Sequence, residues 1–223
     1  HHDARTFFYG ALLGLIMTAL EALAMGNRQH NQSALRQLVA LAAGFVVLPL
    51  IFAVPFHEAV RTTGFGNAYF EMVSSFTTTG ATMFDAARLS GPEHLWRAQV
   101  GWMGGLVMWI AASAILAPLA LGGFEVTASG EPGQSVAQGA MNTGPTSPAE
   151  RLMRSAHVLF PVYTGLTLAL TVMLLVAGDP PLVAVSHAMS VMATSGITPL
   201  AELGAAPSGM AGELILFCFL FFA

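Results

Sequence analysis

Two apolar segments of this chain are too short to cross a lipid bilayer, and each lies between segments long enough to do so. Roughly Asn67–Phe76 and Pro181–Ala193 hold ten and thirteen residues. As helices they reach about 15–20 Å, whereas a spanning helix needs about 20 apolar residues. Full-length runs flank them: roughly Phe7–Met25, Leu35–Phe56, Trp96–Leu121 and Met153–Ala177, with a fifth starting near Gly209. A short apolar helix at membrane depth reads as re-entrant. The alternation therefore predicts an all-α membrane protein built from span, short re-entrant helix, loop and span.

The scarcity of charge agrees. Hydrophobic residues make up 55% of the 223 and charged residues 9%, against about 25% charged in soluble domains. The charges gather between the apolar runs, as expected where an ion at the bilayer centre is costly. All eight basic residues are arginines and the net charge is −4, which gives nucleic acid no surface to bind. The single Cys218 excludes a disulfide framework or a cysteine metal site within one copy. Pro49, Pro118 and Pro161 fall inside spans, which membrane helices tolerate. The pairs Gly10/Gly14 and Gly101/Gly105 permit close helix contact, although glycine is common in such helices anyway.

Shifted by 116 residues, the chain aligns with itself. Ala68 meets Ala184, Glu71 meets His187 and Ser74 meets Ser190. Thr78-Thr79-Gly80-Ala81-Thr82 meets Thr194-Ser195-Gly196-Ile197-Thr198 without a gap. Both short segments carry helix-start signals: Asn67 as a cap for the first, Asp179-Pro180-Pro181 as cap and first-turn proline for the second. Each ends in a Thr/Ser/Gly cluster ahead of another span. The stretch Gly122–Arg151 is the one long polar segment and separates the halves.

A repeated T-[TS]-G-[AI]-T at membrane depth suits a dehydrated cation such as K+. Backbone carbonyls can replace its hydration shell. Glycine supplies the positive φ that aims successive carbonyls at one axis, and the neighbouring hydroxyls add ligands or bond the strand. Irregular backbone is allowed there because it lines water. The C-terminal end of each short helix, being negative, favours a cation. The candidate ion-binding residues are Thr78, Thr79, Gly80 and Ala81, with Thr194, Ser195, Gly196 and Ile197. Glu71 and His187, at equivalent positions, either focus cations at the pore mouth or brace the filter from behind by a hydrogen bond, and the second reading is preferred. Ser74 and Ser190 join them as pore-helix support.

Phe70-Glu71-Met72-Val73-Ser74-Ser75-Phe76-Thr77-Thr78-Thr79-Gly80-Ala81-Thr82 resembles the first filter of the Trk/Ktr/HKT superfamily of potassium transporters, the Trk branch in particular. Leu95-Trp96-Arg97 through Gly101-Trp102-Met103-Gly104-Gly105 resembles the start of the following span, and Ala117-Pro118 through Gly122-Gly123 its cytoplasmic end. The resemblance runs from about Leu35 to Gly204. In the second filter Ser195 and Ile197 replace a glycine and an aromatic that the bacterial family often has, and Pro199 is unusual.

The resemblance implies a pore-forming membrane subunit with four repeats around one pore, the inner (cell) membrane as its location, a homodimer of pores and a cytoplasmic nucleotide-binding regulatory subunit. On that pattern residues 1–30 are an accessory transmembrane helix and 31–123 the first repeat. Residues 124–150 are a polar cytoplasmic linker, and 151–223 a second repeat cut short in its last span. The chain stops within an apolar run and is read as a fragment; the resemblance implies that a third and fourth repeat follow. K+ is the transported ion, and no cofactor is implied for this chain. Family topology would place Gly26–Ala34 and Gly122–Arg151 in the cytoplasm. Four arginines then fall inside, and Arg5, Arg61, Arg88 and Arg97 fall outside or at the outer interface, so charge alone sets no orientation.

Two other readings compete. One is a two-repeat channel whose four-fold filter forms from two chains. The other is a membrane enzyme or scaffold, for which the spans offer no catalytic constellation. His57-Glu58-Ala59-Val60-Arg61 lacks the second histidine of a zinc helix, and Thr194-Ser195-Gly196 lacks the glycine expected two residues before a serine nucleophile. Ionisable groups inside spans are read as Glu21 and edge residues only. Trp102 and Trp109 are read as packing, and the twelve methionines as adaptable filler.

Overall fold

The computed structural model describes residues 34–116, 148–201, 203–221 and 223. The expected helix Phe7–Met25 and nearly all of the polar linker lie outside them. The described residues form six α-helices: α1 (Ala34–Val60), α2 (Phe65–Phe76), α3 (Gly91–Ala111), α4 (Pro148–Val176), α5 (Pro181–Met192) and α6 (Gly209–Phe219). A π-helical turn, Ala112–Leu116, continues α3, and 3₁₀ turns occupy Ala86–Arg88 and Leu203–Ala205. No strand occurs among the described residues.

The short segments are helices of twelve residues each, α2 and α5. Their start signals act differently from expectation. Gly64 is the N-cap of α2, and Asn67 lies inside the helix, where its Nδ2 donates to Thr63 Oγ1 at 3.2 Å. Pro181 does open α5, but the N-cap is Pro180. The Asp179 carboxylate instead accepts from Ser208 N–H at 2.9 Å, tying the start of α5 to the start of α6.

The long helices also depart from the sequence boundaries. α3 begins at Gly91, ahead of the expected Trp96, because Ser90 is its cap and a proline sits in the first turn. Glu93 there accepts the Ser90 N–H at 2.6 Å, the return arm of a capping box. α4 begins at Pro148, inside the stretch expected to be loop through Arg151. It stops in a Schellman motif: Gly178 at φ +108 donates to Leu175 O, and Asp179 N–H donates to Leu174 O.

The packing places α3 between the two halves. α2 packs on α1 and α3, and α5 packs on α3, α4 and α6. Around α2 the core joins Phe56, Met72, Phe76, Phe84, Trp96 and Val100. Around α5 it joins Leu170, Leu174, Ala184, Ala188 and Leu216. Trp102 on α3 donates from Nε1 to Thr167 Oγ1 on α4 at 2.9 Å, and Tyr163 OH returns a bond to Trp102 O at 3.3 Å.

Glycines on α3 make this closeness possible. A Cβ at Gly104 would fall on the carbonyl oxygen of Phe76, the last residue of α2. At Gly105 it would lie 2.8 Å from Tyr163 OH and 3.0 Å from Ala193 Cα, just past the end of α5. Both short helices therefore end against one glycine face.

Two described helices, Leu38–Val60 and Arg151–Val176, are long and apolar enough to cross a membrane. Their outward residues include Val39, Val46, Val54, Val158, Val162 and Val172, all largely exposed, which suits an apolar surrounding. α3, at 21 residues, is shorter than α1 at 27 and α4 at 29, and it packs against both halves.

Gly104→Ala should lower the melting temperature of the purified protein, at a cost of about 1–3 kcal/mol for overpacking. Gly44→Ala in α1 meets nothing within 4 Å and should be neutral or stabilising by up to about 1 kcal/mol. Equal melting temperatures for the two variants would sink the close-packing argument.

Candidate functional site

α2 and α5 each run into an irregular segment with the same hydrogen-bond register. Thr77 N–H donates to Val73 O, Thr78 N–H to Ser75 O and Thr79 N–H to Ser74 O, at 2.9, 3.0 and 2.9 Å. The residues 116 positions later repeat this. Ala193 N–H donates to Met189 O, Thr194 N–H to Val191 O and Ser195 N–H to Ser190 O, at 3.1, 2.9 and 2.9 Å. In the first copy Gly80 N–H also turns back to Ser74 O, at 3.2 Å.

These bonds decide where the carbonyls go. The peptide unit is planar and trans, so its C=O points opposite to its N–H, and no cis bond is present among the described residues. Amides directed at the helix end therefore aim the preceding carbonyls, Phe76 to Thr79 and Met192 to Thr194, away from it. Sustaining that direction needs left-handed backbone at alternate residues. Thr78 has φ +56 and Gly80 +72; Thr194 has +51 and Gly196 +68. Threonine rarely takes this region, and the helix-end bonds hold it there.

The two segments touch. A Cβ on Gly80 would fall on the Ser195 carbonyl oxygen, so glycine is required there twice over, by φ and by space. Ser195 is buried, with its Oγ 3.5 Å from where a Cβ on Gly101 would sit. A cavity of about 320 Å³ opens beside the second segment, lined by His187, Ser190, Thr194, Gly196, Thr198 and Leu216 among others.

Behind the segments the repeats diverge. Ser74 Oγ donates to Ala81 O at 2.6 Å. Ser190 is instead approached by Ser195 Oγ, 3.3 Å from its own Oγ. Glu71 is fully buried; its Oε2 accepts Met83 N–H at 3.1 Å and its Oε1 lies 2.6 Å from Arg97 Nε. His187, also buried, places Nε2 2.9 Å from Thr198 Oγ1. Both groups sit behind their loops and contact the chain just past the glycine.

Arg97 was expected outside or near the outer interface of the membrane, with no side-chain partner foreseen. It is 3% exposed, inside the protein against Glu71. Sequence reasoning missed this pair, and the available signal was a basic residue within an apolar span of a charge-poor chain. Breaking such a pair by removing one partner typically costs about 3–5 kcal/mol. Other charged groups serve local structure. Arg88 donates to Thr62 O at 2.8 Å and lies over the Phe84 ring. His94 contacts Ala86 O at 2.9 Å.

Ser74→Ala should destabilise the purified protein by about 1 kcal/mol, the net worth of one hydrogen bond, and Ser190→Ala by less. A larger fall in melting temperature for Ser190→Ala would contradict the different roles of the two serines.

No family model matches the chain. It is 32% identical over 133 residues to the Trk system potassium uptake protein TrkH of Vibrio parahaemolyticus, covering 59% of this chain and 26% of that protein. It is 32% identical over 159 residues to the potassium uptake protein TrkI of Halomonas elongata, covering 69% and 28%. With the TrkH protein of Salmonella typhimurium it shares 29% over 199 residues, covering 87% and 38%. The chain thus spans between about a quarter and two fifths of the length of these curated relatives. The crystal structure of the potassium transporter TrkH from Vibrio parahaemolyticus superposes with a TM-score of 0.69 at 24% identity, over 99% of this chain and 46% of that one.

Proposed function

We propose that this chain, a homologue of Trk potassium uptake proteins, belongs to a membrane transport protein rather than an enzyme and forms part of the pore of a potassium uptake protein. K+ crosses a filter of backbone carbonyls to which each repeat contributes one glycine. Thr78, Thr79, Gly80 and Ala81 supply the first segment, and Thr194, Ser195, Gly196 and Ile197 the second.

The observation that carries this reading is the shared left-handed pattern at Thr78/Gly80 and Thr194/Gly196, with its shared amide register. It turns two sets of carbonyls away from two helix ends, and carbonyl oxygens in such an array replace the water that a cation sheds. The C-terminal dipole ends of α2 and α5 add negative potential on the same side.

The ring needs more than two segments. Ser195 O covers Gly80, whereas a Cβ on Gly196 would meet nothing within 4 Å. That open side suits a further segment seated on Gly196 as Ser195 is seated on Gly80. A third and fourth repeat of the same polypeptide would supply it. A homodimer of pores, an inner-membrane location and a cytoplasmic nucleotide-binding regulator complete the proposal, by analogy with the family.

The test is K+ and Na+ flux through the complete natural polypeptide in liposomes. Gly80→Ser and Gly196→Ser should both lower the preference for K+. Gly80→Ser should also reduce flux the more, since its Cβ meets Ser195 O. If both variants conduct and select like the parent, these segments are not the filter.

A further inference from the structure

We propose that Glu71 and Arg97 are selectivity-determining positioning residues: their buried ion pair locks the chain beyond the first T-x-G segment through Met83 N–H, while the second repeat uses an uncharged brace. The proposal rests on the filter reading above.

The first segment is pinned at two points from α2. Ser74 Oγ holds Ala81 O at 2.6 Å, and Glu71 Oε2 holds Met83 N–H at 3.1 Å. A carboxylate this buried needs a counter-charge, and Arg97 on α3 supplies it at 2.6 Å. Both Glu71 oxygens are thereby engaged behind the segment. The carboxylate acts on the ion only through the backbone it holds, which makes it a positioning group.

In the second repeat three positions change together, and the changes are chemically matched. His187 stands where Glu71 stands, and Pro199 where Met83 stands. Proline has no N–H to offer a carboxylate. Ile215 lies as far beyond Ser208, the cap of α6, as Arg97 lies beyond Ser90, the cap of α3. Acid, amide donor and base are therefore lost as a set. The imidazole reaches Thr198 Oγ1 at 2.9 Å instead, and that oxygen accepts Leu200 N–H at 3.1 Å. The threonine turn itself is common to both copies, since Thr82 Oγ1 accepts Phe84 N–H, also at 3.1 Å. Only the brace differs, and a charge-assisted contact holds more stiffly than a neutral one. The first segment is therefore the one whose carbonyl positions are fixed against collapse onto a smaller ion.

The experiment measures K+ against Na+ preference of the complete natural polypeptide in liposomes for Glu71→Gln/Arg97→Met, Met83→Pro and Arg97→Lys, with Gly80→Ser alongside. The double variant leaves no lone buried charge. Met83→Pro removes the N–H that Glu71 accepts, fixes φ at that residue and copies the second repeat, where Pro199 stands. Both should lower K+ preference by about threefold or more, the worth of one weakened hydrogen bond. Arg97→Lys, which keeps the charge, should stay near the parent. If Gly80→Ser lowers the preference and neither brace variant does, the brace is overturned and the filter reading stands. If none of the variants changes it, the filter reading falls and takes the brace with it. Should the double variant not assemble, Met83→Pro decides: an unchanged preference overturns the proposal.

Discussion

The structure depends on where the last amides of two short helices point. Those of Thr77–Gly80 and Ala193–Ser195 fold back onto the carbonyls of α2 and α5. Because a peptide unit is planar, the carbonyls between them must face the other way. The left-handed Thr78 and Thr194, the glycines that follow and the close approach of Ser195 O to Gly80 are all consequences of that direction. Unsatisfied carbonyls inside a membrane protein are expensive. On the filter reading proposed above, a cation is the occupant that replaces their missing partners.

The same constraint explains the rest of the packing. Two helix ends must come close together for their segments to meet, so they need a partner without side chains between them. α3 is that partner: Gly104 admits the end of α2, and Gly105 admits the turn after α5. The bulky residues of α3 lie elsewhere. Trp96 donates to Phe52 O on α1, and Trp102 binds Thr167 on α4. One helix therefore carries both the close approach and the links that hold the two halves around it.

The halves are alike in backbone and unlike in the chemistry behind it. The first is backed by the buried acid–base pair Glu71 and Arg97, the second by His187 and Thr198. The caps of the following helices diverge in the same way. Ser90 N–H is accepted by Glu93 three residues on, whereas Ser208 N–H is accepted by Asp179, 29 residues back. Repetition conserves the direction of the carbonyls, and each copy solves the burial of its polar groups with what its own side chains offer.

By itself the sequence determined the all-α membrane class and the existence of two short helices, because span length and charge scarcity are local properties of a run of residues. It also marked the two T-x-G segments, since a 116-residue self-match is visible without any fold. Helix starts were less legible. Asn67 and Asp179 look like caps in one dimension, yet Asp179 is drawn to Ser208 and Asn67 lies within its helix. Only the tertiary structure decided that Arg97 faces Glu71, that Gly104 receives the end of α2 and that Ser195 O lies on Gly80. Each of these joins residues from different elements. The physical reason is that burial, counter-charge and close approach belong to pairs of elements, and a sequence records only their separate halves.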